Sequence, residues 1–147
     1  MANHVRQQLR DAVATALTGL TTTGSRVFKS AVYPVQQNQC PALRIYVTSE
    51  SVELLTIHAP SMQDRSVTVN VEACVADAAT ADDLIDTVSK EVEIAIDGGI
   101  TIGSQLIEID YTGIEIEWDS GDMPIGVGRM TFTAAVRTLS NAPDVAI

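Results

Sequence analysis

Aromatic side chains are scarce in this chain: two Phe, three Tyr and one Trp make up 4% of its 147 residues. A core built from it must be packed mainly from Val, Ile, Leu and Ala. Histidine is scarcer. His4 and His58 lie far apart in different local settings, and no Cys or His pair has the spacing of a metal site. The only cysteines, Cys40 and Cys74, sit in unrelated contexts and read as two free thiols of a protein made in the cytosol. Long apolar runs are missing too. A membrane helix needs roughly 20 apolar residues, and the longest uncharged, apolar-leaning run, Ala12 to Ser25, is too short and is threaded with Thr. The opening "MANHVRQQLRDAV" has no basic segment followed by an apolar one, so no signal peptide is expected.

Positive charge is the last shortage. Nine Lys and Arg face nineteen Asp and Glu, a net charge of −10. Residues 1–65 hold six basic and four acidic side chains, while residues 66–147 hold three and fifteen. Affinity for phosphates comes from clustered Lys and Arg, so a half this acidic repels nucleic acid rather than binding it. Acids also keep a protein soluble.

What is present suits an ordinary folded domain, 46% hydrophobic and 19% charged. Residues 1–147 are expected to form one domain able to bury a core without metals or disulfides. Val5, Leu9, Val13, Ala16, Leu17 and Leu20 recur at helical spacing, which predicts a helix from about Asn3, as cap, to Leu20. Strands are expected in 26–35, 41–48 and, more weakly, 51–57, with 58–64 a loop. "RSVTVNVEACVA" (65–76) is the clearest strand, with Val67, Val69, Val71, Ala73 and Val75 on one face and Thr68, Asn70, Glu72 and Cys74 on a more polar one. A second helix follows, with Thr80 as cap and Asp83 three residues on, as in a capping box. Leu84, Ile85, Val88, Val92 and Ile96 form its stripe, and Gly98 and Gly99 end it. In 106–118 the apolar set shifts from Ile107, Ile109, Tyr111 to Ile114, Ile116, Trp118, a one-residue slip that predicts a β-bulge at Thr112–Gly113. The strand 126–139 pairs with it as a hairpin through "DSGDMP". The fold class is α+β: a mainly antiparallel β-sheet with two amphipathic helices packed on one face.

The stretch "EIEWDSGDMPIGVGRMTF" (115–132) is the strongest candidate for chemistry. Its acids lack the alternating ligands and closing Glu of a calcium loop. "GVG" and "GGITIG" precede no helix with a phosphate-binding signature. No Gly-x-Ser-x-Gly elbow occurs, and Cys74 has no His near it in sequence. Glu115 and Glu117 sit opposite the apolar positions, as the exterior of a strand does. No catalytic residue, metal ligand or cofactor is expected, and the chain reads as a structural or assembly protein. Arg44, Tyr46, Glu50, Glu53, His58, Arg65, Trp118, Met123, Arg129 and Arg137 are the candidate interface residues.

The order of "NHVRQQLRDAVATALTGLTTTGSRVF", "VYPV", "CPALRIYVTSE", "LTIHAP", "RSVTVNVEACV", "ADDLIDTVSKEVEIAI" and "GIEIEWDSGDMPIGVGRMTFTAAVRTL" resembles the tail terminator family of long-tailed bacteriophages, often labelled minor tail protein U. The likeness covers nearly the whole chain and lies in phrases, not in a catalytic signature. "VQQNQC" departs from the family's usual approach to Pro-Ala-Leu. The resemblance implies a homo-oligomer, a hexameric ring in the virion, assembled in the bacterial host cytoplasm. Such a ring caps the tail tube protein, ends its polymerisation, meets the head–tail connector and lets DNA pass without specific binding. It implies no enzyme, cofactor or membrane. On this reading Glu115, Glu117, Asp119 and Asp122 are candidates for an acidic lumen that DNA slides past. Another neck component (a head–tail completion or tube-like protein) is the nearer alternative, and a small acid-dependent hydrolase the more distant one.

Overall fold

The computed structural model describes residues 2–29, 39–76, 80–119 and 125–147. Helix α1 spans Val5–Leu17, and its spacing buries Val5, Leu9, Val13, Ala14 and Leu17. It starts later than Asn3 would place it. His4 is the N-cap, its Nδ1 accepting from the Arg6 N–H at 3.1 Å, while the Asn3 carbonyl accepts from the Gln8 amide. Burial, together with the Arg6 and Arg65 charges, holds the His4 imidazole below its ordinary pKa, which favours the neutral, accepting ring. Helix α1 also ends before Leu20, where Thr18 caps it and Gly19 turns the chain at φ +91°.

Helix α2 spans Ala81–Ile96 and buries Ile85, Val88, Ser89, Val92 and Ile96, whereas Leu84 is only half-buried. Thr80 occupies the N-cap, but its side chain makes no capping hydrogen bond, so the expected capping box does not form. Its ψ of 19° departs from the extended conformation that aims a capping hydroxyl at the following amides. Asp82 and Asp83 stand in the first turn, where the helix dipole favours them.

The strands are β1 (Val27–Phe28), β2 (Ala42–Leu54), β3 (Met62–Val75), β4 (Ile100–Ile102), β5 (Gln105–Asp119) and β6 (Ile125–Leu139). They form one sheet in the order β1-β2-β3-β6-β5-β4, parallel between β1 and β2 and antiparallel elsewhere. The α+β class and its mainly antiparallel sheet are as expected. Several details differ from the sequence reading, and one is that β3 begins at Met62, inside the expected 58–64 loop. Segments 41–48 and 51–57 are one strand, because a bulge between Val47 and Ser49 carries the pairing through their polar junction. Strand β1 is two residues long, and residues 30–35 of the expected 26–35 strand lie outside the described residues. Strand β4 was not expected, as three residues are too few for a periodic signal. The bulge expected at Thr112–Gly113 is present as a register shift between Tyr111 and Gly113.

Both helices pack on one face of the sheet. Leu43, Ile45, Val67, Val69, Val71, Ala73, Met130, Phe132, Ala134 and Val136 supply that face of the core. Helix α1 touches β4 as well as β1 and β2, so the sheet curls around it. The two cysteines are not free thiols. Ala42 pairs with Cys74 across β2 and β3, which brings the residue two positions upstream within reach, and Cys40–Cys74 is a disulfide with Cα atoms 5.5 Å apart.

Candidate functional site: the uncovered sheet face

Alternation in the four central strands sends a second set of side chains to the face away from the helices. Arg44, Tyr46 and Glu53 come from β2; Asp64, Thr68, Asn70, Glu72 and Cys74 from β3; Val127, Arg129, Thr131, Thr133 and Arg137 from β6. Strand β5 adds Glu108, Asp110, Glu115 and Glu117. The sequence reading set the polar side of β3 apart from the core face, and Asn70, Glu72 and Cys74 are buried there as well. They are covered by one another and by their neighbours' long side chains, because β3 and β6 occupy the middle of the sheet.

Glu72, 6% exposed, is the centre of this face. Its Oε2 accepts from Arg44 Nε at 2.8 Å, and its Oε1 accepts from Tyr46 Oη at 2.6 Å and Arg129 Nε at 3.0 Å. The cross-strand register Arg44↔Glu72↔Arg129 places one acid between two guanidiniums. The Arg44 guanidinium lies 4.9 Å from the Tyr46 ring centroid. Burial pushes the Glu72 carboxyl upward, but hydrogen bonds from Tyr46 and Arg129 and the charge of Arg44 outweigh it and leave its pKa below the ordinary value. The same network raises Tyr46, by burial and its bond to Glu72, and raises Arg129 through its bonds to Glu72 and Tyr46. Beside it, Asn70 donates to Thr48 Oγ1 at 2.9 Å. A recess of about 190 Å³ opens between Arg44, Glu72, Cys74, Glu117, Val127 and Arg129.

Towards the start of β5, charge on this face is thinner and more exposed. Arg137 holds Asp64 at 2.7 and 3.1 Å, and that bond lowers the Asp64 pKa. Glu53 stands opposite Asp64 in the ladder and is exposed. At the other end of β5, beside Arg129 and Val127, Glu115 and Glu117 are exposed, with Arg129 Nη1 3.8 Å from Glu115. Asp119 ends the strand, and Asp122 and Met123 lie outside the described residues.

The remaining expected interface residues fall elsewhere. Arg65 and Glu50 are on the helix side. Arg65, 7% exposed, donates to Glu50 at 3.1 Å, Thr138 at 2.9 Å and Gln63 at 3.1 Å, and Glu50 also holds Arg6 of α1 at 2.6 Å. Both are therefore bound within the chain. His58 is exposed in the loop between β2 and β3, alongside Leu54, Leu55 and Ile57, the last 94% exposed. At the opposite end of the sheet Trp118, 50% exposed, lies over Gly126, where an added Cβ would collide with the ring. Ile114 and Ile116 on the same side are also exposed, because α2 reaches only as far as Gly128, which Ile85 touches.

Sequence reasoning missed Glu72, Asn70, Thr138 and Arg6. Glu72 carried a usable signal, an acid in the middle of the clearest strand, but its partners become visible only once both neighbouring registers are known. Among the described residues no cluster of three or more His, Cys, Asp or Glu could hold a metal ion, and no helix is long and apolar enough to cross a membrane.

These features define an α+β protein with one helix-covered sheet face and one polar face organised by internal ion pairs. No family model matches the chain, and no curated protein does. Among solved structures, a chain in the virion of a native gene transfer agent particle is 20% identical, with 92% of each chain covered and a TM-score of 0.44. A second solved chain, which carries no descriptive name, is 16% identical over 90% of each chain, with a TM-score of 0.45. Likenesses this slight carry no weight for fold or function.

Proposed function

We propose that the chain is a structural subunit of a phage tail. Its copies close into a ring that caps the tail tube, ends tube growth and meets the head-side connector. The hexameric number comes from the resemblance to tail terminators. The observation that carries the reading is an acid-rich, uncovered sheet face between two open sheet edges.

Strand β2 pairs with β1 only at Leu43 and Arg44, and β5 pairs with β4 only from Gln105 to Ile107. Beyond those residues, Ile45–Leu54 and Glu108–Asp119 have no outer strand partner among the described residues. Exposed edges of this length invite pairing with another chain. The edges are unlike. Glu108, Asp110, Glu115 and Glu117 line one; the other, Ile45–Leu54, carries Glu50 and Glu53, with Arg26 and Lys29 beside the short strand that ends it. Unlike edges favour a head-to-tail contact between copies, which closes into a ring if the rotation closes. The uncovered faces then turn inward, and Glu115 and Glu117 repel passing DNA instead of holding it. The apolar hairpin around Leu54, Leu55 and Ile57 at one end, and Trp118 at the other, supply contacts to the neighbours above and below.

The test is a mass measurement of the purified chain, with electron microscopy of a mixture with tail tubes. Rings that cap tubes are expected; monomer alone in both contradicts the reading. The same images separate it from a head–tail completion protein, which contacts the portal side and never the last tube ring. An acid-dependent hydrolase would instead need a deep pocket holding two close carboxylates of shifted pKa, and loss of a hydrolytic activity on substitution of such a pair would favour it.

A further inference from the structure

We propose that Cys40 and Cys74 act as a redox-responsive staple, open in a reducing compartment and closed by an oxidant, that ties the start of β2 to β3 without being needed for the sheet to form. The two ends of the bridge are held very differently. Cys74 lies inside β3, paired with Ala42 on one side and Val127 on the other, and is buried. Its place does not depend on the bond. Cys40 precedes β2, next to the two-residue β1 ladder and the Arg26 side chain, which donates to the Pro41 carbonyl at 2.7 Å. The described ties there are the Val27↔Leu43 and Phe28↔Arg44 pairs and the Arg26 bond to Pro41, and the disulfide adds a link from this edge to the middle of the sheet. The chain has no other cysteine, so no competing pairing within the chain exists.

The Cα separation of 5.5 Å lies inside the ordinary disulfide range, so closure asks for no backbone rearrangement. Cys40 is the more exposed of the two, and Cys74 borders the recess beside Arg44 and Arg129. In the forward step the Cys40 thiolate attacks a small-molecule disulfide and expels one thiol. The Cys74 thiolate then displaces the second thiol from the mixed disulfide. Two protein thiols and one small disulfide become one protein disulfide and two small thiols. Cytoplasmic thiol buffers drive the reaction backward. The timing, open during assembly and closed in released particles, rests on the virion reading; the staple itself does not.

The experiment traps thiols with iodoacetamide and weighs the intact chain, before and after incubation of the purified protein with oxidised glutathione. Two adducts before and none after are expected. The oxidised form should melt several degrees higher than the reduced form, and amide exchange at Val27, Phe28 and Leu43 should slow on oxidation while that of Val69 and Val71 stays the same. The double variant Cys40→Ala, Cys74→Ala should match the reduced form in either buffer, and reduced wild-type protein gives the same comparison without any substitution. Equal melting and exchange in both redox states, or adducts that persist after oxidation, overturn the staple. Adducts already absent in freshly trapped cells overturn the timing, whether or not the chain enters a particle.

Discussion

The two faces of the sheet are built by opposite means. The helix-covered face is held by shape: Phe132, Met130, Ile45, Val69 and their neighbours are fully or almost fully buried against α1 and α2. The uncovered face is held by charge: Glu72 is satisfied by Arg44, Tyr46 and Arg129, with no helix above it among the described residues. A single alternating strand, β3, serves both, and its Val residues and its Asn70 and Glu72 are buried for different reasons. The lesson is that burial on a sheet face does not need an apolar layer. A central strand with long neighbouring side chains can bury a carboxylate if each of its oxygens has a donor.

Substitutions should separate the two faces by size and by pH dependence. The largest loss is expected for Phe132→Ala, which removes a ring packed 5.3 Å from that of Tyr111. A cost of about 3–5 kcal/mol in denaturant unfolding follows from the cavity left behind. Glu72→Gln comes next. It leaves Arg44 and Arg129 without their shared counter-charge, at a cost of about 2–4 kcal/mol.

The Glu72 effect should depend on pH, and the Phe132 effect should not. The folded pKa of Glu72 lies below its ordinary 4.5, so the unfolded chain takes up its proton first as pH falls. The stabilisation is therefore fully present above about pH 4.5 and is lost as pH falls through the lower folded value. Wild-type and Glu72→Gln stabilities should converge in that acid window, while a constant gap across it breaks the charge explanation. Gly126→Ala tests the end of the sheet where neither means applies: the new Cβ meets the Trp118 ring, and displacement of the ring should shift its fluorescence with only a modest loss of stability. The smallest effect is expected for Arg137→Ala. Its exposed pair with Asp64 is screened by water, and the melting temperature should stay within measurement error.

Local patterns in the chain carried the architecture well where they were long or periodic. Helix α2 was readable from Ile85, Val88, Val92 and Ile96, β3 from its valines, and the β5 bulge from a one-residue slip in the apolar set. Helix α1 was readable in its stripe but not at its start, because a His ring capping through Nδ1 is not among the residues that usually signal a helix start. Strand β4 was too short to show. The Cys40–Cys74 bridge and the Glu72 network were invisible for one shared reason. Each depends on which residue of β2 or β6 lies opposite β3, and register is a property of pairs of strands. The candidate interface was legible only in composition. Arg44, Tyr46 and Arg129 do gather on the uncovered face, but Arg65 and Glu50 belong to a part-buried pair on the other.

The proposed ring makes the uncovered face the wall of a passage and the helix-covered face its outside. A density map of the ring assembled on tail tubes tests this most directly. The expected map has Glu115 and Glu117 of every copy on the lumen wall, with the outer edge of β5 against the β2 edge of the next copy. A lumen lined by α1 and α2, or one whose wall is neutral or basic, would contradict it.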